Sequence, residues 1–214
     1  MGLKRGFNML TKTKPKIGPQ DQGRKISLKT FEFAKVEEGY HYELSRGYVV
    51  VSEVPRYFHA CLVVAVRDAL IEYKLANPGQ IHMILGSMDS KLLIPDLESE
   101  RHPDLAVYLS RPKGPKDRKM WRTWIPDLVV EIVSPGSVER DYVQKNEEYW
   151  TLGVKEYWIV DAQLKKLTIL KRGRVRWSKK ELRENDVCAS KLLPGFQLSC
   201  QTIFDAASQA HEEE

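Results

Sequence analysis

Asp104 and Glu131 are acidic residues set in apolar, strand-forming text: His102-Pro103-Asp104-Leu105-Ala106-Val107-Tyr108, then Pro126-Asp127-Leu128-Val129-Val130-Glu131-Ile132-Val133. A carboxylate inside such a segment must be paired, hydrogen-bonded or metal-bound, because an uncompensated buried charge costs several kcal/mol. Side chains alternate along an extended chain, so Val129, Glu131 and Val133 share one face. Asp104 begins the other segment, 27 positions before Glu131. If the two strands pair, both carboxylates can converge on one divalent ion. Mg²⁺ or Mn²⁺ needs few protein ligands when water and phosphate oxygens complete the shell. Such an ion can orient water and stabilise charge on a phosphate.

A nearby cation would help that chemistry, and Lys145 is the candidate. It lies three residues after Tyr142 and four before Tyr149, so it flanks the apolar face of a helix following the Glu131 segment. Each residue also has a plainer reading. Asp104 could serve a turn, Glu131 a buried structural ion pair with an arginine, and Lys145 surface pairs with Asp141 and Glu148. Asp127 reads as structural, His59 as a cap or core histidine, and Ser134 as a loop-capping hydroxyl.

The elements that must position these residues can be read from periodicity and punctuation. A short helix is predicted over 27–36 with Ser27 as its N-cap. A hairpin follows over 40–44 and 47–52. Leu62, Val63, Val66, Ala69, Leu70 and Tyr73 recur at helical spacing over 59–74. Strands are predicted at 81–85, 91–94, 104–109 and 127–133, the last two apolar on both faces as in a covered central sheet. A helix over 138–152 is capped by Ser137 and ended by Gly153. A strand at 157–161 and a hairpin of 167–170 with 174–177 complete the pattern. The expectation is a single α/β domain over 26–207, with a basic, disordered arm over 1–25 and a polar tail over 208–214.

The 42% hydrophobic and 29% charged fractions are those of a globular protein, and no apolar run reaches membrane-spanning length. Cys61, Cys188 and Cys200 form no CxxC pair, which argues against a zinc site and suits a reducing, cytoplasmic setting. Net charge is +5. Its sharpest concentration is Arg111, Lys113, Lys116, Arg118, Lys119 and Arg122, against one acid, in the segment joining the two acidic strands. Those six are candidate nucleic-acid contacts. Trp121 and Trp124, interleaved with them, could stack on bases or cover the end of the sheet.

The text HPDLAVYL, PDLVVEIVSPGS, RDYVQKNEEYWTLGVKEYWIVD and LPGFQL, spread over roughly residues 30–205, resembles the Uma2 family of putative restriction endonucleases, within the PD-(D/E)xK superfamily. The resemblance implies a restriction-endonuclease-like core: a central mixed β-sheet flanked by helices, with an added β-hairpin. It implies a Mg²⁺-dependent (or Mn²⁺-dependent) endonuclease acting on DNA, with Asp104 and Glu131 as the motif's acids. Val133 stands where the motif usually has its lysine, and the resemblance places that lysine at Lys145. It also assigns Glu43, in YELSRG, as an additional acid. A symmetric homodimer would suit cutting of both strands. The competing expectation is a non-catalytic nucleic-acid-binding module on the same scaffold.

Overall fold

A computed structural model describes residues 14–114 and 120–213. Strand β1 (Lys16–Ile17) is followed by α1 (Leu28–Glu32), where Ser27 Oγ accepts from Thr30 N at 3.2 Å as the predicted N-cap. The helix ends at Glu32, short of the predicted limit, because β2 (Lys35–Val36) pairs in parallel with β1. Residues 14–25, expected to belong to a disordered arm, are therefore folded. Ile17 is buried among Leu28, Phe31 and Leu44, and Arg24 O accepts from Val49 N. The rest of that arm lies outside the described residues.

Strands β3 (Tyr40–Ser45) and β4 (Tyr48–Glu53) form the predicted hairpin. Its two-residue turn has Arg46 and Gly47 both at positive φ, the conformation that matches strand twist. Helix α2 (Tyr57–Ala76) buries Leu62, Val66, Leu70 and Tyr73 along one stripe. There follow β5 (Met83–Gly86), β6 (Leu92–Ile94), β7 (Ser99–Arg101), β8 (Leu105–Tyr108) and β9 (Leu128–Ile132). A π-helical turn over Arg140–Gln144 leads into α3 (Lys145–Leu152), which stops at Gly153 with φ 102°. Strands β10 (Glu156–Asp161), β11 (Lys166–Arg172) and β12 (Trp177–Arg183) come next. Short β13 (Val187–Cys188) and β14 (Leu198–Ser199) then precede α4 (Cys200–Glu213).

The central sheet is mixed and six-stranded, in the order β12-β11-β10-β9-β8-β5. Only β9 and β10 run parallel, joined by the crossover through α3. Leu105, Val107, Leu128, Val130 and Ile132 face α2 and α4 in the main core. Val129, Tyr157 and Ile159 face the other way, against Tyr149 of α3 and Leu92 of β6. A second sheet of four strands, β4-β3-β7-β6, lies on that side.

Three features differ from the sequence expectation. The hairpin at 40–53 is half of a larger sheet, because β6 and β7 extend it. The second arm of the later hairpin is β12, with 174–176 forming the turn. The tail expected from residue 208 continues α4 to Glu213, a helix anchored by buried Ile203 and Phe204. Among the described residues, no helix is long and apolar enough to cross a membrane.

Candidate active site

Antiparallel pairing of β8 with β9 matches Leu105 to Val130, Ala106 to Val129 and Val107 to Leu128. One step further, Asp104 stands opposite Glu131. Both belong to the face that looks toward α3, since Leu105 and Val130 look toward α2. Asp104 Oδ2 accepts from Ile132 N at 2.8 Å, which fixes the carboxylate at the end of the hairpin.

Lys145, at the start of α3, reaches the same point. Its Nζ lies 2.9 Å from Glu131 Oε2 and 2.9 Å from Asp141 Oδ1. Tyr149, one turn later, donates its hydroxyl to Glu131 Oε1, and Ser137 donates its hydroxyl to Asp141 Oδ2. Lys145, Asp141 and Glu131 are all buried, so these are not the weak surface pairs of the plainer reading. Burial raises the Glu131 carboxyl, and Asp104, Asp141 and Glu43 push it further up against the pull of Lys145. Burial alone would lower Lys145, but Asp141, Glu131 and Glu43 more than offset it and hold the ammonium.

Glu43 comes from β3, in the second sheet. Its Oε1 accepts from His102 N at 3.0 Å and its Oε2 pairs with Arg101 Nη1 at 3.0 Å. Burial would raise this carboxyl, yet Lys145 and Arg101 pull it down to about 2. Arg101 is fully buried, a residue the sequence analysis did not single out. It meets Glu148 Oε2 through Nε at 2.7 Å, Glu148 Oε1 through Nη2 at 3.1 Å, and Ser45 Oγ at 2.7 Å. Glu148, expected beside Lys145, belongs to Arg101 instead. The network ties the second sheet to α3 and so fixes Glu43 relative to Lys145. The only signal in the chain was an arginine inside the polar run Ser99-Glu100-Arg101-His102, which reads as a loop.

His59, on α2, closes the other side. Its Nε2 is 3.0 Å from Asp104 Oδ1 and its Nδ1 is 3.1 Å from Ser134 Oγ. Burial would lower the imidazole, but the hydrogen bond and charge of Asp104 raise it. Glu43, His59, Asp104, Glu131 and Lys145 all line one cleft of about 800 Å³.

The described part of the basic segment lies elsewhere. The segment connects the end of β8 to the start of β9, whereas the carboxylates sit at the start of β8 and the end of β9. Arg111 and Lys113 are exposed there, Arg122 pairs with Glu32 at 2.6 Å, and Lys116, Arg118 and Lys119 fall outside the described residues. Trp124 packs edge-on against Tyr108 and Trp121, covering that end of the sheet. Asp127 accepts from Leu109 N at 2.8 Å and pairs with Lys155 at 2.6 Å, a structural role.

The donor chemistry suits a hard divalent cation. Four carboxylates line the site: Glu131 and Asp141 meet Lys145, Glu43 meets Arg101, which is shared with Glu148, and Asp104 meets His59. Burial first, and then the neighbouring carboxylates, raise Glu131 against the pull of Lys145, and a cation beside it would favour its ionised form. Among the described residues no group of three or more His, Cys, Asp or Glu is arranged to hold an ion. The oxygens of Asp104 and Glu131 are engaged by His59, Ile132 N, Tyr149 and Lys145. An ion at Asp104 and Glu131 would have to take over oxygens from these partners, with water completing most of its shell.

No curated protein matches the chain. Among solved structures, a putative nuclease belonging to DUF820 from Anabaena variabilis ATCC 29413 has a TM-score of 0.69 at 14% identity, over 85% of this chain and 99% of that one. At that identity the likeness speaks for the fold. The sequence matches the model of the Uma2 family, described as "Putative restriction endonuclease", over residues 29–201. The chain belongs to the Uma2 family of putative restriction endonucleases.

Proposed function

We propose that the chain is a Mg²⁺- or Mn²⁺-dependent endonuclease that hydrolyses phosphodiester bonds in DNA. The observation that carries this reading is the opposition of Asp104 and Glu131 across one antiparallel pair, with the Lys145 ammonium 2.9 Å from Glu131, inside a cleft. Asp104 and Glu131 would hold the ion, which when bound supplies charge stabilisation to the phosphate and an acidified water. Lys145 contributes a second positive charge toward a non-bridging oxygen or the attacking water. Tyr149 and Asp141 orient Glu131 and Lys145, and Glu43 adds carboxylate charge from the opposite wall. A cut through both strands would call for two copies related by symmetry.

Incubation of the purified protein with plasmid DNA tests the proposal. Nicked or linear product is expected with Mg²⁺ or Mn²⁺, none in EDTA, and none from Glu131→Gln. Cutting that ignores EDTA, or that survives Glu131→Gln, overturns it.

One observation favours a second reading, a non-catalytic nucleic-acid-binding module: each oxygen of Asp104 and Glu131 already has a protein partner. Titration calorimetry with Mn²⁺ separates the two. Metal uptake that Asp104→Asn removes supports the nuclease, and DNA binding without metal uptake supports the module.

A further inference from the structure

The cleft has cations of its own, and Arg140, the more buried of two that make no ion pair among the described residues, is the one nearest Lys145 in the chain. Arg140 opens the π-helical turn that precedes Lys145, and it lines the cleft together with Asp104 and Glu131. Its Nε is buried without a hydrogen-bond partner, and no ion pair joins its guanidinium to another described residue. Its neighbour Asp141 cannot neutralise it, since the Asp141 oxygens face Ser137 and Lys145. Glu139, adjacent in sequence, points to a different side of the helix, because residues one apart do not face each other. Contrast Arg101, which is fully buried and whose donors meet two carboxylates and a serine, whereas Arg140 is partly buried. A half-buried guanidinium left unpaired is costly to keep unless something outside the chain completes it.

We propose that Arg140 is an anion-binding residue that takes a backbone phosphate of the nucleic-acid strand, next to the phosphate undergoing hydrolysis. This deepens the nuclease reading and rests on it for the substrate. The guanidinium fork matches two phosphate oxygens at once, which an ammonium cannot do. Arg56, exposed at the N-cap of α2, lines the same cleft and has no ion pair among the described residues, so it is placed to meet the strand farther out. Carboxylates that suit a cation sit on the β8–β9 end, and arginine stands at the entry to the helix. Arg111 and Lys113, the exposed basic residues described after β8, lie at the other end of the hairpin from Asp104.

The test is fluorescence anisotropy of a labelled DNA duplex over a salt series, in EDTA and again with Ca²⁺. Arg140→Ala is expected to weaken binding about tenfold at low salt and to reduce the slope of log K against log[salt] by about 1, the signature of one lost phosphate contact. Arg140→Lys is expected to keep the slope with weaker binding, and Arg140→Gln to lose it, so a charge effect separates from a folding defect. Arg174→Ala, on the distant β11–β12 turn, serves as the control and changes neither quantity. Wild-type affinity and slope in Arg140→Ala or Arg140→Gln would overturn the proposal, as would equal losses in Lys and Gln variants. Cleavage by the wild type with Mg²⁺ is scored separately. Failure to cut alongside a charge-dependent Arg140 effect removes the nuclease reading and leaves the anion site, while metal-dependent cutting with no Arg140 effect does the reverse.

Discussion

The β8–β9 hairpin carries the same Pro-Asp dipeptide at both of its ends, and the two ends do different things. At one, Asp104 Oδ2 accepts from Ile132 N at 2.8 Å; at the other, Asp127 Oδ2 accepts from Leu109 N at 2.8 Å. Each aspartate thus closes the ladder by bonding the backbone just past its cross-strand neighbour. Each second oxygen meets a basic side chain, His59 in one case and Lys155 in the other. The difference lies in what stands opposite. Asp104 faces Glu131, next to Lys145 and a cleft. Asp127 faces Tyr108, whose ring packs on Trp124. A local motif therefore specifies hairpin closure, and only the register decides which copy gains a second carboxylate and a route to substrate.

The largest effect expected from breaking this asymmetry concerns Arg101. Replacing it with Met leaves Glu148 buried without its cation and Glu43 with Lys145 alone, a loss of about 3–5 kcal/mol by the cost of orphaning a buried ion pair. Urea unfolding in EDTA measures it. A loss below about 1 kcal/mol would mean the network does not hold the second sheet against α3.

The same network predicts an acid dependence. The Glu43 carboxyl sits at about 2, against 4.5 when unperturbed. A depressed value stabilises the fold above the unfolded pKa and loses that contribution as pH falls through the folded one. Glu43→Gln should therefore cost up to about 3 kcal/mol near neutral pH, with the gap to wild type closing between about pH 4.5 and 2. A gap that stays constant across that window would show that Glu43 is not held ionised by Lys145 and Arg101.

A matched pair of substitutions compares the two hairpin ends directly. Asparagine keeps the acceptor that Ile132 N or Leu109 N needs, and it removes the charge. Asp104→Asn should lower metal-dependent cleavage by about 100-fold or more, while Asp127→Asn leaves it within about twofold. Rates measured on one labelled duplex decide it, and equal losses at both ends would erase the distinction drawn here.

Much of this end was legible in the chain because burial and charge conflict visibly there. Glu131 interrupts an apolar strand, Lys145 sits at helical spacing from two tyrosines, and Asp104 begins a strand that could pair. Glu43 came only through the family resemblance. Arg101 escaped notice, and Glu148 was read as a partner of Lys145, because their pairing joins residues 47 apart, on a three-residue strand and a helix, with no local pattern to announce it. His59 was read as a cap or core residue, since its contacts with Asp104 and Ser134 depend on how α2 docks. The basic segment shows the same dependence on register. Proximity in sequence to both acidic strands suggests proximity in space, but its described residues Arg111, Lys113 and Arg122 follow β8 or precede β9, at the end away from Asp104. The arm at 14–25 was misjudged through composition: Ile17 is its one apolar anchor, and the β1–β2 pairing and the backbone bonds of Gly23 and Arg24 to Val49 hold the rest.

The smallest effect concerns the ammonium at each end. Lys155 approaches Asp127 at 2.6 Å and Lys145 approaches Glu131 at 2.9 Å, so distance alone would rank the Lys155 contact higher. Exposure reverses the ranking. The Lys155 side chain is 58% exposed and that of Lys145 is 6% exposed. Water and salt screen the first pair, and its contribution should be at most about 1 kcal/mol. Lys155→Met is therefore expected to shift unfolding by no more than that, with the shift shrinking as salt rises from 0.05 to about 0.5 M and cleavage unchanged. A salt-independent loss of several kcal/mol would place the Asp127 end among the buried, charge-dependent parts of the fold and leave Glu131, not the environment of the pair, as what sets the two ends apart.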